Sequence, residues 1–479
     1  MRSWRLAIAA VVALAACPSG HAQAPPARAP AAPPRATLRL GALLPLTGPG
    51  AWFGAQIKNG IDLAVAELDP SSRSARPATP RGASDPSAPP TSDTRSDTRD
   101  KDDSAAEPTT PETDAETGAG AAPPAAAKRP SGPPPEPIEP RDRPRTVAIT
   151  FQAIDVQPLD VKAAETEVNR LLSAGVAAIV TASPTPTLTV YPIAAARDTL
   201  VLHVGLPTDR FPAASRTLFQ LRPSLAARAE VLAAHAWERS IRRLGLVAGG
   251  DGFGRAIRTA FAARWRQLGG HLAHEESLSL EASDRRSRLR AVARAAPEAV
   301  VLGYQGAALG EAAMALREAG YSGRLFGLDD DRAALLAGGR ALDGAMILTD
   351  AFVPVPGTRG ARFARAYEAR HEQPPSRFAA TAYEAVSLLA EATRLATRGG
   401  GSATGTRLRE ALVAGQRFPS LYAGDVLVRD DGTIGRPLTL FRVDGDRLAF
   451  ESYVAGDGHA LPAPPASGAA PLWLGLARR

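Results

Sequence analysis

Apolar positions along this chain switch between two periods, and the switches mark out its elements. Leu38 to Leu44 is an apolar run short enough for a strand buried on both faces. Pro45-Leu46-Thr47-Gly48-Pro49-Gly50 follows as a loop of turn residues. Ile57, Ile61, Ala64, Val65 and Leu68 then recur at helical spacing, with Lys58, Asn59, Asp62 and Glu67 on the other faces. Strand, loop and helix make the opening unit of a parallel α/β sheet. Ligands of such sheets sit beyond the carboxyl ends of the strands, so Thr47 to Phe53 should face a cleft.

The same rhythm resumes at Thr146. Strands are predicted at Val147–Ile154, Ala177–Val180 and Leu200–Val204, with helices Ala163–Leu172 and Val190–Arg197 between them. A second series has strands at Leu244–Ala248, Leu272–Leu278, Ala299–Gly303 and Leu325–Leu328. Helices Ala226–Trp237, Ala256–Leu268, Leu289–Ala295 and Leu309–Ala319 alternate with them. Ala345–Asp350 reads as a strand returning to the first series, where helices Ala361–Arg370 and Phe378–Leu395 would pack. Gly424–Val428, Leu438–Val443 and Leu448–Val454 read as closing strands, with Asp430-Asp431-Gly432 as a hairpin turn.

Composition changes this picture in three places. Residues 70–145 hold almost no large apolar side chains and are full of Pro, Ser, Thr, Asp and Arg. Such a stretch cannot bury enough surface to offset ordering its backbone, so it reads as a disordered insertion. It interrupts one lobe, which is tolerable because loop-closure entropy grows slowly with length. At the start, Arg2, Arg5 and the apolar core Leu6–Leu14, too short to span a bilayer, read as an export signal over residues 1–24. Two processing sites compete there. Leu14-Ala15-Ala16-Cys17 resembles a lipobox that would lipidate Cys17, whereas Ala22-Gln23-Ala24 fits an ordinary cleavage site that would discard it. Cys17 is the only cysteine, which excludes a disulfide within the chain. Residues 25–37 form an Ala/Pro-rich tether and 455–479 a loose tail. The net charge of +7 is mostly arginine, and arginines alternate with acids, so no nucleic-acid partner is expected.

The opening unit also carries a family resemblance. Pro45-Leu46-Thr47-Gly48, Phe53-Gly54, Asn59-Gly60 and Ala64-Val65-Ala66-Glu67 together resemble the start of the amino-acid-binding proteins of branched-chain ABC importers. Phe219-Gln220-Leu221-Arg222 resembles that family's first crossing between lobes, and Tyr383-Glu384-Ala385 its long helix. The resemblance implies a type 1 periplasmic binding fold, α/β, with two Rossmann-like lobes and parallel sheets joined by a three-crossing hinge. The first lobe would hold residues 38–222, interrupted over 70–145, and 349–423. The second would hold 223–348 and, after a crossing, the strands within 424–454. Ligand would lie between the lobes, and closure would bury it.

An importer's amino-acid binder needs two poles. Carboxylates suit hydroxyls and backbone N–H groups at helix N-termini; ammonium groups suit a carboxylate. Ser183 and Thr185 lie between a strand and a helix, and Thr208 follows strand Leu200–Val204, with Leu206 beside it to lend main chain. Matching to the family places Thr185 and Thr208 on its carboxylate-binding positions; ordinary helix capping is the competing role. Asp329, adjoined by Asp330 and Asp331, matches the family's acid for the amino group, and a solvated loop or helix cap competes. Phe53, with Trp52 as its near alternative, matches an aromatic wall. Phe253 stands where a tyrosine is usual, and Tyr304 and Gln305 occupy a further aromatic position; core packing competes for each aromatic.

Gly249–Gly254 lacks the G-x-G-x-x-G spacing of a dinucleotide loop. The sequence holds no H-E-x-x-H, no cysteine pair and no G-x-S-x-G, so neither metal, cofactor nor catalytic residues are expected. The expected protein is a periplasmic solute binder. Its partners would be a small molecule (an amino acid or analogue) and an ABC permease in the inner membrane, with Cys17 as a lipid anchor if the lipobox is used. The competing function is a lipoprotein regulator on the same fold, such as an activator of cell-wall synthases, acting through protein contacts.

Overall fold

The computed structural model describes residues 36–69, 147–212, 215–398, 400–415 and 417–461. The expected signal peptide, Cys17, most of the tether, the insertion and residues 462–479 of the tail lie outside the described residues.

The first lobe opens with strand β1 (Ala36–Leu44), helix α1 (Ala51–Leu68) and strand β2 (Val147–Asp155). Helix α2 (Val161–Ser173), strand β3 (Ala178–Thr181), helix α3 (Pro184–Ala195) and strands β4 (Leu200–His203) and β5 (Leu218–Gln220) follow. The five strands form one parallel sheet in the order β2-β1-β3-β4-β5. β1 is central, which is why Leu40, Ala42 and Leu44 on one face and Leu43 on the other are all buried. β1 and β2 pair from Ala36↔Val147 to Leu44↔Asp155. The carboxylate of Asp69, just after α1, accepts the N–H of Ile149 at 3.0 Å. The chain on either side of residues 70–146 is therefore one structural unit.

The second lobe contains helix α4 (Leu225–Glu238), strand β6 (Arg243–Ala248), helix α5 (Gly252–Gln267), strand β7 (His271–Ser277) and helix α6 (Arg285–Arg294). Strand β8 (Ala299–Gly303), helix α7 (Ala307–Glu318), strand β9 (Arg324–Gly327), helix α8 (Arg332–Gly338) and strand β10 (Met346–Thr349) follow. Helices α9 (Arg359–His371), α10 (Arg377–Ala396) and α11 (Gly405–Val413) then lead to a small antiparallel sheet of β11 (Arg417–Pro419), β12 (Asp425–Val428) and β13 (Ile434–Gly435). α10 packs along α1 and so belongs to the first lobe. Strands β14 (Leu438–Asp444), β15 (Arg447–Val454) and β16 (Ala460–Leu461) finish the second sheet, whose order is β16-β15-β14-β10-β9-β8-β6-β7.

Four expectations are corrected. β10 does not return to the first lobe: it pairs parallel with β9 and antiparallel with β14, so the chain crosses only after it. The last crossing lies not in Gly424–Val428, which is β12 of the small sheet, but at Arg436-Pro437 between β13 and β14. The tail is ordered as far as β16, which pairs with β15, while the Gly458 carbonyl lies 2.9 Å from His235 Nδ1. α3 also begins six residues before the predicted start, because Ser183 takes the extended N-cap position and Pro184 pre-sets the first helical residue.

The lobes are joined at three places: after β5 at Leu221–Ser224, after β10 from Asp350, and at Arg436-Pro437. α10 is the largest buried element of the first lobe, with fourteen of its 20 residues buried. It closes on α1 at Gly60, where a β-carbon would overlap the Ala379 carbonyl. Gly60→Ala should therefore destabilise the protein by about 1–3 kcal/mol, the usual cost of overpacking a tight contact. A fall in the urea midpoint checks this, against an unchanged midpoint for Ala66→Gly beyond ordinary helix propensity.

Candidate functional site

The cleft side of the first lobe is built on the P-L-T-G loop. Gly48 has a φ of 65°, a conformation that favours glycine, and this turns the chain into α1. Asp155 at the end of β2 pins the loop: it accepts the N–H groups of Leu46 (2.7 Å) and Thr47 (3.3 Å) and the Thr47 hydroxyl. Gln157 Nε2 adds bonds to Thr47 Oγ1 at 3.0 Å and to Asp155 at 3.1 Å. Burial alone would raise the Asp155 carboxyl, but these donors hold it below the usual carboxylate value. With the loop fixed, Phe53 in the first turn of α1 packs edge-on against Phe378 at 4.6 Å, and Trp52 stands exposed 6.4 Å from the same ring. Arg222 lies over Phe378, 4.8 Å from its centroid. Phe53 thus faces an aromatic–guanidinium platform where the lobes meet.

The α3 start is less rich in donors than expected. Ser183 is buried and its hydroxyl makes no cap bond; its carbonyl accepts from Thr187 Oγ1 at 2.7 Å. Pro184 and Pro186 have no N–H, so of the first three helical residues only Thr185 can offer one. Thr208 is tied down locally, its N–H to Gln220 Oε1 at 2.9 Å and its hydroxyl accepting from Arg210 N at 3.1 Å. Leu206 has its main chain committed, N–H to the Ala182 carbonyl and C=O to His203 Nε2, while its side chain is exposed. Sequence reasoning missed His203, which is fully buried behind this loop. Its Nδ1 lies 3.0 Å from Thr187 Oγ1, and Phe211 packs 4.9 Å from its ring. Burial depresses its pKa to about 4, with the Arg222 charge adding to the effect.

On the second lobe the three successive aspartates have three different roles. Asp329, half-buried, accepts the Gly306 N–H at 2.6 Å at the start of α7, and burial pushes its carboxyl upward with help from Asp330 and Asp331. Asp331 caps α8 through Ala333 N at 2.9 Å. Asp330 is the one that reaches across to the first lobe, pairing with Arg377 Nη2. Phe253, one residue into α5, is half-buried against the apolar layer behind the second sheet. Tyr304 is buried with its hydroxyl donating to the Leu278 carbonyl at 2.9 Å, and Gln305 is exposed beside it. Phe53 and Asp330 are therefore connected through Arg377 and Phe378, whereas Phe253 and Gln305 sit apart from that junction in their contacts.

Beneath the cleft lies a charge network that the sequence reading did not anticipate. Asp350, wholly buried at the second crossing, takes both Nε (2.5 Å) and Nη2 (3.0 Å) of Arg222 from the first crossing. Arg377 at the start of α10 donates to it at 3.1 Å, and Arg436 of the third crossing lies 3.7 Å away. Arg436 continues to Glu384 (3.3 Å) and Thr381 (3.1 Å), and Glu384 accepts from Ser420 and Leu421. Burial would raise the Asp350 carboxyl, but Arg222 and Arg377 hold it well below the usual range. Arg222 and Glu384 stood inside stretches already singled out. No periodicity links positions 222, 350 and 436, so their meeting was invisible in the sequence.

The periplasmic binding protein family matches residues 147–447, and the chain belongs to it. Its members are solute-binding proteins rather than enzymes. A search of curated proteins finds no match. Among solved structures, the fold is similar to a putative branched-chain amino acid ABC transporter protein from Rhodospirillum rubrum, at 17% identity and a TM-score of 0.64, covering 87% of this chain and 100% of that one. It is also similar to a leucine-, isoleucine-, valine-, threonine- and alanine-binding protein from Brucella ovis in its closed conformation (15%, 0.59, covering 89% and 97%). A third is a solute-binding protein from Rhodopseudomonas palustris in complex with 3,4-dihydroxybenzoic acid (16%, 0.51, covering 90% and 99%). Among the described residues no helix is long and apolar enough to cross a membrane, and no group of three or more His, Cys, Asp or Glu could hold a metal.

The buried His203 generates a pH prediction. Its folded pKa is depressed, so its neutral form contributes stability that is complete above pH 6.5 and is lost as pH falls through about 4. Over that window wild type should lose up to about 1.4 kcal/mol per pH unit from this one group. His203→Gln should remove that part of the slope, leaving what His235 and His371, also depressed by burial, and the depressed carboxylates such as Asp155 and Asp350 contribute. Urea midpoints at several pH values, for both proteins, measure the difference.

Proposed function

We propose that this chain is the solute-binding component of an ABC importer. It captures a small molecule, an amino acid or an aromatic acid, between its lobes and delivers it to a permease in the inner membrane. The observation that supports this most is the junction of Phe53, Phe378, Arg377 and Asp330, which brings the starts of α1 and α10 in the first lobe together with the loop after β9 in the second. Phe53, Thr185 and Thr208 are the first-lobe contacts we assign to ligand, with Ser183 and Leu206 shaping the α3 side. Asp329 is the second-lobe contact, with Phe253 and Gln305 further out. The relatives' printed ligands, leucine, isoleucine, valine, threonine and alanine for one and 3,4-dihydroxybenzoic acid for another, bracket the chemical class. Work would take place in the periplasm, after export directed by residues 1–24, with Cys17 as the lipid attachment point if the lipobox is used.

One observation favours the competing regulator. The Arg377–Asp330 pair is an interlobe bond made by the protein's own side chains, as expected of a cleft that has given up its ligand. Thermal-shift screening with amino acids and aromatic acids separates the two. A ligand at a hundredfold excess over its Kd adds about 2.7 kcal/mol to stability. Combined Thr185→Val and Thr208→Val substitution should remove most of that shift while leaving the unliganded melting temperature nearly unchanged. A flat response across the panel favours the regulator.

A further inference from the structure

A cavity of about 280 Å³ lies at the crossings, and none of the candidate cleft residues lines it. Pro223 of the first crossing and Arg436 of the third stand in its wall. The second lobe contributes α4 and α5, through Glu230, Arg264 and Gln267. The facing contribution comes from the small antiparallel sheet, through Arg429 and Gly435. That sheet rests on the first lobe: Thr433 bridges Gln220 of β5, and the Gly432 carbonyl accepts the Gln220 N–H at 3.1 Å. The cavity is therefore a seam between the lobes, set beside the hinge.

Its lining is rich in uncommitted positive charge. Arg436 is met by Asp350 and Glu384, but Arg429 and Arg264 have no ion pair among the described residues. Two glycines place the Arg429 guanidinium at the seam. A β-carbon on Gly435 would stand 3.3 Å from its Nη1 and Nη2, and one on Gly456, in the loop after β15, 4.0 Å from Nη2. Arg264, near the end of α5, has only a neutral partner: its Nη1 donates to Gln267 Oε1 at 3.4 Å. Glu230 is the one carboxylate in the lining. Asp457, next to Gly456, is turned to His459 and accepts its N–H at 3.1 Å. Two free cations against one acid leave the seam positive, a local field that draws anions.

We propose that this seam is a second ligand site, for a small phosphate-bearing anion held by Arg429 from the first lobe and Arg264 from the second. A guanidinium presents parallel N–H donors to an oxyanion, and two of them suit the several oxygens of a phosphate better than the two of a carboxylate. The Gln267 side-chain amide adds a further donor beside Arg264. An anion bound here bridges the lobes beside the hinge. The site is separate from the cleft, so it stands whether or not the cleft takes a solute.

The test is calorimetric titration of the full chain with inorganic phosphate and with glycerol 3-phosphate, against chloride at matched ionic strength. At least one of the two should bind and raise the melting temperature, and which one does tells a free ion from an organic ester. Arg429→Gln and Arg264→Gln should each weaken that binding by about tenfold or more, the loss of a charge-assisted hydrogen bond. Glu230→Gln should tighten it, because the one repelling charge is gone. Arg429 is exposed and Arg264 half-buried, so both variants should fold, which melting in chloride checks. The paired change Arg362→Gln and Arg365→Gln, exposed on α9, removes more charge than either single change and should leave binding as it is. No binding of either probe by folded wild type would overturn the proposal, as would binding that either arginine variant leaves unchanged. Equal weakening by the α9 pair would also overturn it, since net charge alone would then carry the effect.

Discussion

Asp350 is wholly buried, yet it carries a full negative charge, and the arrangement of both lobes turns on how that charge is met. Its two oxygens take Arg222 from the first crossing in a two-pronged grip, then Arg377 from the start of α10, with Arg436 from the third crossing alongside. Each crossing thus contributes one member of a single cluster. Buried ion pairs often give little net stability, because desolvation offsets attraction, but breaking one partner away is expensive. What such a cluster supplies is a demand on geometry: the three connections must run side by side or leave charges stranded.

The cleft inherits its shape from this demand. Arg222 is held by Asp350 and by the Gly205 carbonyl at 3.1 Å, and its face lies against Phe378. Phe378 in turn positions Phe53, which the Asp155-pinned loop presents from the other side. Arg377, next in sequence to Phe378, uses one nitrogen on Asp350 and another on Asp330, so the same side chain serves the hinge and spans the lobes. The wall and the hinge therefore share two side chains, Arg222 through its face on Phe378 and Arg377 through its two acid partners.

Much of the fold was legible in the residues. The apolar run at Leu38–Leu44 and the helical spacing after it fixed β1 and α1, because burial on both faces of a parallel sheet leaves a pattern few other structures share. Errors fell where a strand's partner rather than its pattern decides its place. Ile347 and Leu348 look alike in either sheet, and only pairing with β9 and β14 assigns β10 to the second lobe. For the candidate site, the placing of Phe53 and Thr185 in first helical turns and of Asp329 after a strand was readable from topology and resemblance. The roles within Asp329-Asp330-Asp331 did not, since adjacent acids differ only in direction, and direction is set by Gly306, Arg377 and Ala333. The hinge cluster was hidden for a related reason: its members lie far apart in sequence and share no period.

A double-mutant cycle between Asp350→Asn and Arg222→Gln measures the coupling on which the account depends, by urea unfolding of the two single variants, the double variant and wild type. The expected interaction energy is about 2–3 kcal/mol, with the double variant recovering part of what either single change loses. Additive effects, with a coupling below about 0.5 kcal/mol, would contradict the claim that this buried charge ties the crossings together.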